Sequence, residues 1–374
     1  MTKKIAVGGE DFIPLRKADS YYVDKTELLY ELVEKSNNSV TLFTRPRRFG
    51  KTLTMSMIES FFSIFKKDSR EVFNGLDVMK HKTFCNEYMN QYPVLFVSFK
   101  DVEGLNFESA FEKLKIVLAD LCKKFAFLVE NSNIDHSDTA IFERIRYNTS
   151  KSEEIQNFLK TLMRMMNAVY NKPVILLIDE YDVPMAKGDS KGYYPKIMGI
   201  MRTLLSQALK DNPYIKIAVL TGCLRIAEES IFTGLNNPAI KTIVDTDYDE
   251  CFGFTNEEMD KLLTDTGLIE KQPVFKEWYD GYVFGNREVY CPWDVLNYVD
   301  ALQKKLNAPP VNYWANTSGN DVIRRFLISE FDVSEEFETL LSGGIVKKHI
   351  NPNITYADLI KNETNLWSVL YMTG

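Results

Sequence analysis

The chain is poor in the residues that hold metals or staple small secreted folds. Its 374 residues include five cysteines, at positions 85, 122, 223, 251 and 291, with no close pair. They include three histidines, at 81, 136 and 349. That scatter excludes a zinc site and a disulfide framework, and it suits a reducing cytosol. No apolar run approaches the ~18 residues that mark a membrane span, and the opening MTKKIAVGGEDF has no signal-peptide core. A basic excess is missing as well. Lys and Arg number 45 against 52 Asp and Glu, for a net charge of −7, so the surface as a whole is not built to bind nucleic acid. Internal repeats and low-complexity segments are not apparent. What remains is a chain of about two-domain length, 45% hydrophobic, with enough apolar residues for a sizeable core.

Residues 41–54 read TLFTRPRRFGKTLT. An apolar strand over 39–44 leads into a tight turn, and a helix is predicted from Lys51, because Leu53, Met57, Phe61 and Phe65 recur at helical spacing. The first turn of a helix carries unpaired N–H groups and partial positive charge, which attract phosphate. Gly50 lets the backbone approach a ligand. Lys51 is placed to reach β- and γ-phosphates, and the Thr52 hydroxyl to ligate Mg²⁺. Arg45 stands where the usual pattern has its first glycine, and Pro46 offers no N–H. Arg45, Arg47 and Arg48 bring charge to the same place, where phosphate, a neighbouring protomer or surface carboxylates are the available partners. The nucleotide-binding segment is therefore Arg45, Pro46, Arg47, Arg48, Phe49, Gly50, Lys51, Thr52 and Leu53.

Residues 174–182 read VILLIDEYD. Five consecutive apolar residues without alternation suit a central parallel strand, buried on both faces. Ligand chemistry in such sheets sits at the carboxyl ends of strands. Asp179 is placed there as the Mg²⁺ partner, and Glu180 as the base that polarises an attacking water. Asp182 reads as a local cap or loop anchor. A third strand, 216–222, ends in Thr221, which suits a group that senses the γ-phosphate or holds water, or else a structural threonine. Arg225 follows and is placed to stabilise transition-state charge or to pair on the surface. Lys51, Glu180, Thr221 and Arg225 are the candidate catalytic residues; Thr52 and Asp179 are the candidate metal ligands.

Residues 93–99, PVLFVSF, read as another buried strand, and helices are predicted near 107–129, 153–170 and 193–210. Alternation of strand and helix implies parallel β-α units. The stretch 185–195, MAKGDSKGYYP, reads as a loop. Near residue 253 the character changes. Thr255 and Glu258 form a helix-start signature, and aromatic residues become dense, among them Trp278, Tyr282, Trp293 and Trp314. The expected organisation is a first domain over 1–252 and a mainly helical one over 253–374. Stacking of nucleic-acid bases on those aromatics is an alternative to a packed core, but no basic excess accompanies them.

Several strings point the same way. They are Phe12–Arg16, Tyr21–Thr26, the loop Thr44–Thr52, Asp179-Glu180-Tyr181-Asp182, Thr221-Gly222 with Arg225, Gly234–Asn237, Phe252–Thr255, Trp278–Tyr282 and Pro292-Trp293. Together they resemble the bacterial predicted AAA-ATPase-like family of P-loop NTPases, over nearly the whole chain. The resemblance implies that the missing first glycine is a family habit. It implies an α/β fold: an additional-strand, AAA/STAND-like parallel sheet sandwiched by helices. In that sheet the loop strand lies beside the sensor strand, with the acidic strand beyond, and a helical or winged-helix-like lid follows. It also implies ATP in preference to GTP. Members commonly continue into a nuclease-like domain of the PD-(D/E)XK type, so the chain is expected either to stop short of one or to lack it, and no nuclease activity is assigned to it.

The expectation is thus a cytoplasmic, Mg²⁺-dependent ATPase whose turnover moves a lid or partner. The alternatives are a slow ATP-gated switch acting on an attached or partner effector, and a DNA-binding regulator. The partners to expect are a second copy of the chain in a homo-oligomer, a nuclease-like domain as the resemblance implies, and DNA if the second domain acts as a regulator; a membrane is not among them. A small-molecule kinase also uses such a loop, but adjacent Asp179 and Glu180 fit water activation better.

Overall fold

A computed structural model describes residues 3–36, 39–224, 238–314, 333–352, 354 and 362–373. Its centre is a five-stranded sheet made of β1 (Val40–Thr44), β2 (Val94–Ser98), β3 (Val174–Asp179), β4 (Ile215–Gly222) and β5 (Ala239–Lys241). The order is β2-β3-β4-β1-β5, and every pairing is parallel. The loop strand β1 therefore lies beside β4, with the acidic strand β3 beyond, as the resemblance implied. All six residues of β3 are buried, which is why that run carries no polar alternation. Full burial of each such aliphatic side chain stabilises the fold by roughly 1.5–3 kcal/mol.

Helices Lys51–Phe62, Phe107–Lys124 and Ser152–Tyr170 pack on the sheet, and Tyr194–Leu209 packs against the last of these. The loop helix is shorter than its apolar spacing suggested. Ser63 turns extended, and Phe65 lies beyond the helix end, substantially exposed. The stretch expected as a loop over 185–195 is mostly helical, forming Val183–Ser190 and the start of Tyr194–Leu209. Pro184 marks that helix start, where a missing N–H costs nothing.

Beyond residue 252 the chain builds a second apolar cluster around Leu262, Phe275, Tyr298 and Val299, to which Ile5 from the amino terminus also belongs. Thr255 and Glu258 make the reciprocal capping box the sequence announced. The region is helical, and it also holds a small antiparallel sheet of β6 (Phe254–Thr255), β7 (Tyr282–Phe284) and β8 (Arg287–Tyr290), in the order β6-β8-β7. Among the described residues no helix is long and apolar enough to cross a membrane.

Candidate nucleotide-binding site

Register brings the chemistry together. Phe43 and Thr44 of β1 pair with Thr221 and Gly222 of β4, and Ser98 pairs with Asp179. The carboxyl ends of β1, β3 and β4 thus finish at one level, where the 45–52 loop crosses them. Gly50 takes φ 80° and ψ 16°, a left-handed conformation that a side chain would strain, and the helix starts at Lys51.

Lys51 is buried and folds back over its own loop. Its ammonium donates to the carbonyls of Arg45 at 3.2 Å and Pro46 at 3.1 Å, and lies 3.7 Å from Glu180 Oε1. Burial works against that charge. The surrounding Cys223, Glu180, Asp182 and Asp179 outweigh it and hold the Lys51 pKa above the usual value. The Cys223 thiol, 3.6 Å from the ammonium, is pushed up to about 11 by burial and is therefore neutral.

Asp179 is fully buried. Thr52 Oγ1 donates to its Oδ2 at 2.8 Å, and Thr221 Oγ1 donates to its Oδ1. Glu180 follows in a left-handed conformation, φ 51°, which costs a non-glycine residue of order 1–3 kcal/mol. Its carboxylate lies beside Lys51 and lines the cleft. Burial is the main cause that raises the Glu180 pKa. Asp182 and Asp179 add to the rise, while Lys51 and Arg47 oppose it.

The rest of the acidic motif holds the neighbouring strand end in place. Asp182 Oδ2 accepts from the backbone N–H of Cys223 and of Leu224, each at 3.0 Å, and Tyr181 donates its hydroxyl to the Leu224 carbonyl at 2.9 Å. The loop-anchor role foreseen for Asp182 is therefore played across to β4, with no side-chain cap on its own helix. Gly222 sits beneath this clamp. A Cβ there would lie 2.6 Å from both Asp182 Oδ1 and a Tyr181 ring carbon.

The structure corrects the place of Arg45. Its guanidinium lies in the core, donating to the carbonyls of Thr44 and Lys241, both at 2.9 Å, and of Tyr248 at 3.1 Å. It packs over the rings of Phe252 and Phe284 and does not line the cleft. Burial draws its pKa down to about 10, which leaves it charged at neutral pH. The position that normally holds a small flexible residue here holds a bolt between β1, β5 and the segment after it. Pro46 is buried beside it. Arg47 and Arg48 are exposed and line the cleft, Leu53 lines it half-buried, and Phe49 is buried against Tyr282 and Phe284. Arg225 and residues 234–237 lie outside the described residues.

The cleft measures about 450 Å³. Part of its wall is charged, with Lys100, Glu103, Glu180 and Lys187. Another part is apolar, with Leu15, Tyr22, Val23, Trp293 and Leu296. Sequence reasoning assigned no role in this site to Tyr181, Cys223, Trp293 or the amino-terminal segment. Tyr181, Trp293 and part of that segment lie in the strings that carried the resemblance, but a string does not say what its residues touch.

Mg²⁺ takes hard oxygen ligands and commonly uses one or two carboxylates plus substrate phosphates. Thr52 Oγ1 and Asp179 Oδ2 supply such donors side by side. Among the described residues no group of three or more His, Cys, Asp or Glu could hold a metal by itself. The donor set fits Mg²⁺ bound together with a phosphate.

Fold and loop together define a P-loop NTPase-like protein. The family model described as Predicted AAA-ATPase matches residues 6–232, more than half of the chain, and the chain belongs to that family. One curated relative, from Azotobacter chroococcum mcd 1, is an uncharacterized protein in the vnfD 5′ region. It is 27% identical over 317 residues, which is 84% of this chain and 54% of the relative. The chain thus spans about half of that relative's length. No solved structure matches it significantly.

Proposed function

We propose that the chain binds ATP with Mg²⁺ in this cleft and hydrolyses the β–γ phosphoanhydride. One observation carries the reading. The hydroxyls of Thr52 and Thr221 converge on the buried Asp179, while Lys51 and Glu180 stand side by side at the same strand ends. The amides of the 47–52 loop and the Lys51 ammonium receive the phosphates. Thr52 and Asp179 would hold the Mg²⁺, which would supply charge neutralisation at the phosphate oxygens. Glu180 takes a proton from the attacking water as its oxygen bonds to the γ-phosphorus. The bond to the bridging oxygen breaks, leaving ADP and phosphate. Thr221 fixes the Asp179 carboxylate through its hydroxyl. The test is Mg²⁺-dependent phosphate release by the whole chain, compared with Lys51→Ala and Glu180→Gln. Steady release that persists in both variants would remove the proposal.

A second reading has its own support. Phe49, between two residues of the loop that line the cleft, is buried between Tyr282 and Phe284 of the small sheet. The region from 253 onward then serves as a module whose position follows ATP occupancy, and turnover is slow. A DNA-binding or nuclease-like effector, or a second copy of the chain, receives the signal. A burst of about one equivalent of phosphate followed by a stall favours this switch; linear release from the first turnover argues against it.

A further inference from the structure

The phosphate end of the cleft has named partners, but the apolar part of its wall has no role in phosphate chemistry. We propose that this part, between the amino-terminal strap of residues 4–25 and Trp293, seats the purine base of the nucleotide, stacked on the Trp293 indole. The inference rests on the function proposed above.

Three observations carry it. First, the apolar wall belongs to the same cleft as Arg47–Thr52, so one ligand spans both. Aliphatic Leu15, Val23 and Leu296 line the same cleft as Trp293, and such apolar lining suits a heteroaromatic base. Second, the indole is held in one orientation. Its N–H donates to the Tyr313 carbonyl at 3.1 Å, and a Cβ on Gly8 of the strap would lie only 3.4 Å from ring atom Cζ3. A ring fixed in place before binding loses little freedom when a base lies on it. Third, its face already receives a planar group: the Arg48 guanidinium carbon lies 4.2 Å from the ring centroid. Arg48 belongs to the phosphate loop. The ring face is therefore within reach of a ligand whose phosphates sit on that loop, and a base there displaces the guanidinium or sandwiches against it.

The strap is anchored independently of any ligand. Tyr21 donates its N–H to the Lys4 carbonyl at 2.9 Å and its hydroxyl to Asp265 at 2.9 Å, while Lys25 pairs with Glu258 at 2.6 Å. The site thus joins the amino-terminal segment to Pro292, Trp293 and Leu296, and that segment packs on the second cluster through Ile5, Val7, Tyr21 and Val23.

Isothermal titration of the whole chain in Mg²⁺ with ATP, UTP and inorganic tripolyphosphate tests the inference. On the unaltered chain, ATP should bind more tightly than tripolyphosphate and than UTP. Base–aromatic stacking sets the expected loss in Trp293→Ala at roughly tenfold for ATP. Trp293→Phe should restore most of it, and tripolyphosphate affinity should be the same in all three proteins. Equal affinity of the unaltered chain for ATP and tripolyphosphate would overturn the inference, with no need for any variant to fold. An equal loss for both ligands in Trp293→Ala would overturn it as well. If tripolyphosphate binds while the base makes no difference, the phosphate site stands and only the base site falls. If neither ligand binds, both readings fall.

Discussion

The hydroxyl of Thr52 donates to Oδ2 of Asp179 at 2.8 Å, joining the first turn of the loop helix to the end of a strand 127 residues later. A threonine in a first helical turn has many local partners available, and this one reaches the buried carboxylate instead. Thr52→Ala should raise the Mg²⁺ concentration needed for half-maximal turnover by about tenfold or more. Thr52→Ser should restore most of it. A Mg²⁺ titration of phosphate release checks both.

Glu180 must be ionised to accept a proton from water, and burial raises its pKa. Turnover is therefore full above that raised pKa and lost as pH falls through it, so the acid limb should stand above the ordinary glutamate range. Glu180→Gln should lower kcat by about 10²–10⁴-fold and leave ATP affinity within a few-fold. The pH profile of kcat/KM, which reports groups of the free protein, is the check, with ATP binding measured alongside. An acid limb at the ordinary glutamate value would contradict the assignment.

Restoring the missing glycine should harm the protein. Arg45→Gly removes a buried guanidinium that serves three carbonyls and packs on Phe252 and Phe284. Those carbonyls lose their donor and a cavity opens, which should cost about 3 kcal/mol or more. Urea unfolding measures it. An Arg45→Gly protein as stable as the parent would show that the bolt carries no weight.

Gly222→Ala tests the clamp over β4. The new methyl would collide with both Asp182 and Tyr181, and overpacking of that kind costs roughly 1–3 kcal/mol. Asp182→Asn weakens the charge-assisted bonds to the Cys223 and Leu224 amides and should cost about 1–3 kcal/mol by itself. Both should depress turnover more than ATP affinity, because Thr221 rides on the same strand end. Unfolding midpoints and a split of kcat from KM report the two effects separately.

What could be read from the residues was what local sequence determines. The strand expected over 39–44 and the apolar run at 174–178 became neighbours-but-one in a parallel sheet, and the glycine-lysine-threonine turn fell at a helix start. Their type follows from apolar runs and capping residues, which are local, whereas their order in the sheet came from the resemblance. The fate of Arg45 was not legible, because its acceptors lie at 241 and 248, far along the chain, and charge alone favours the surface. The helix Val183–Ser190 was hidden by its glycine and mixed polarity. The small sheet was hidden by strands of two to four residues, too short to show alternation. Trp293 stood in plain view, but nothing in its neighbourhood says that Arg48 lies on its face.

Phe49 gives the loop a mechanical property. Its ring is sunk in the small sheet, while its chain neighbours on either side line the nucleotide cleft. Under the proposed function, a shift of the loop on taking up phosphate would be felt at Tyr282 and Phe284, and a loosening of those rings would slacken the loop. Linkage makes the two effects equal in free energy. A lesion in the small sheet, remote from every phosphate contact, should appear as an altered nucleotide affinity, and nucleotide should appear as added resistance of that sheet to unfolding.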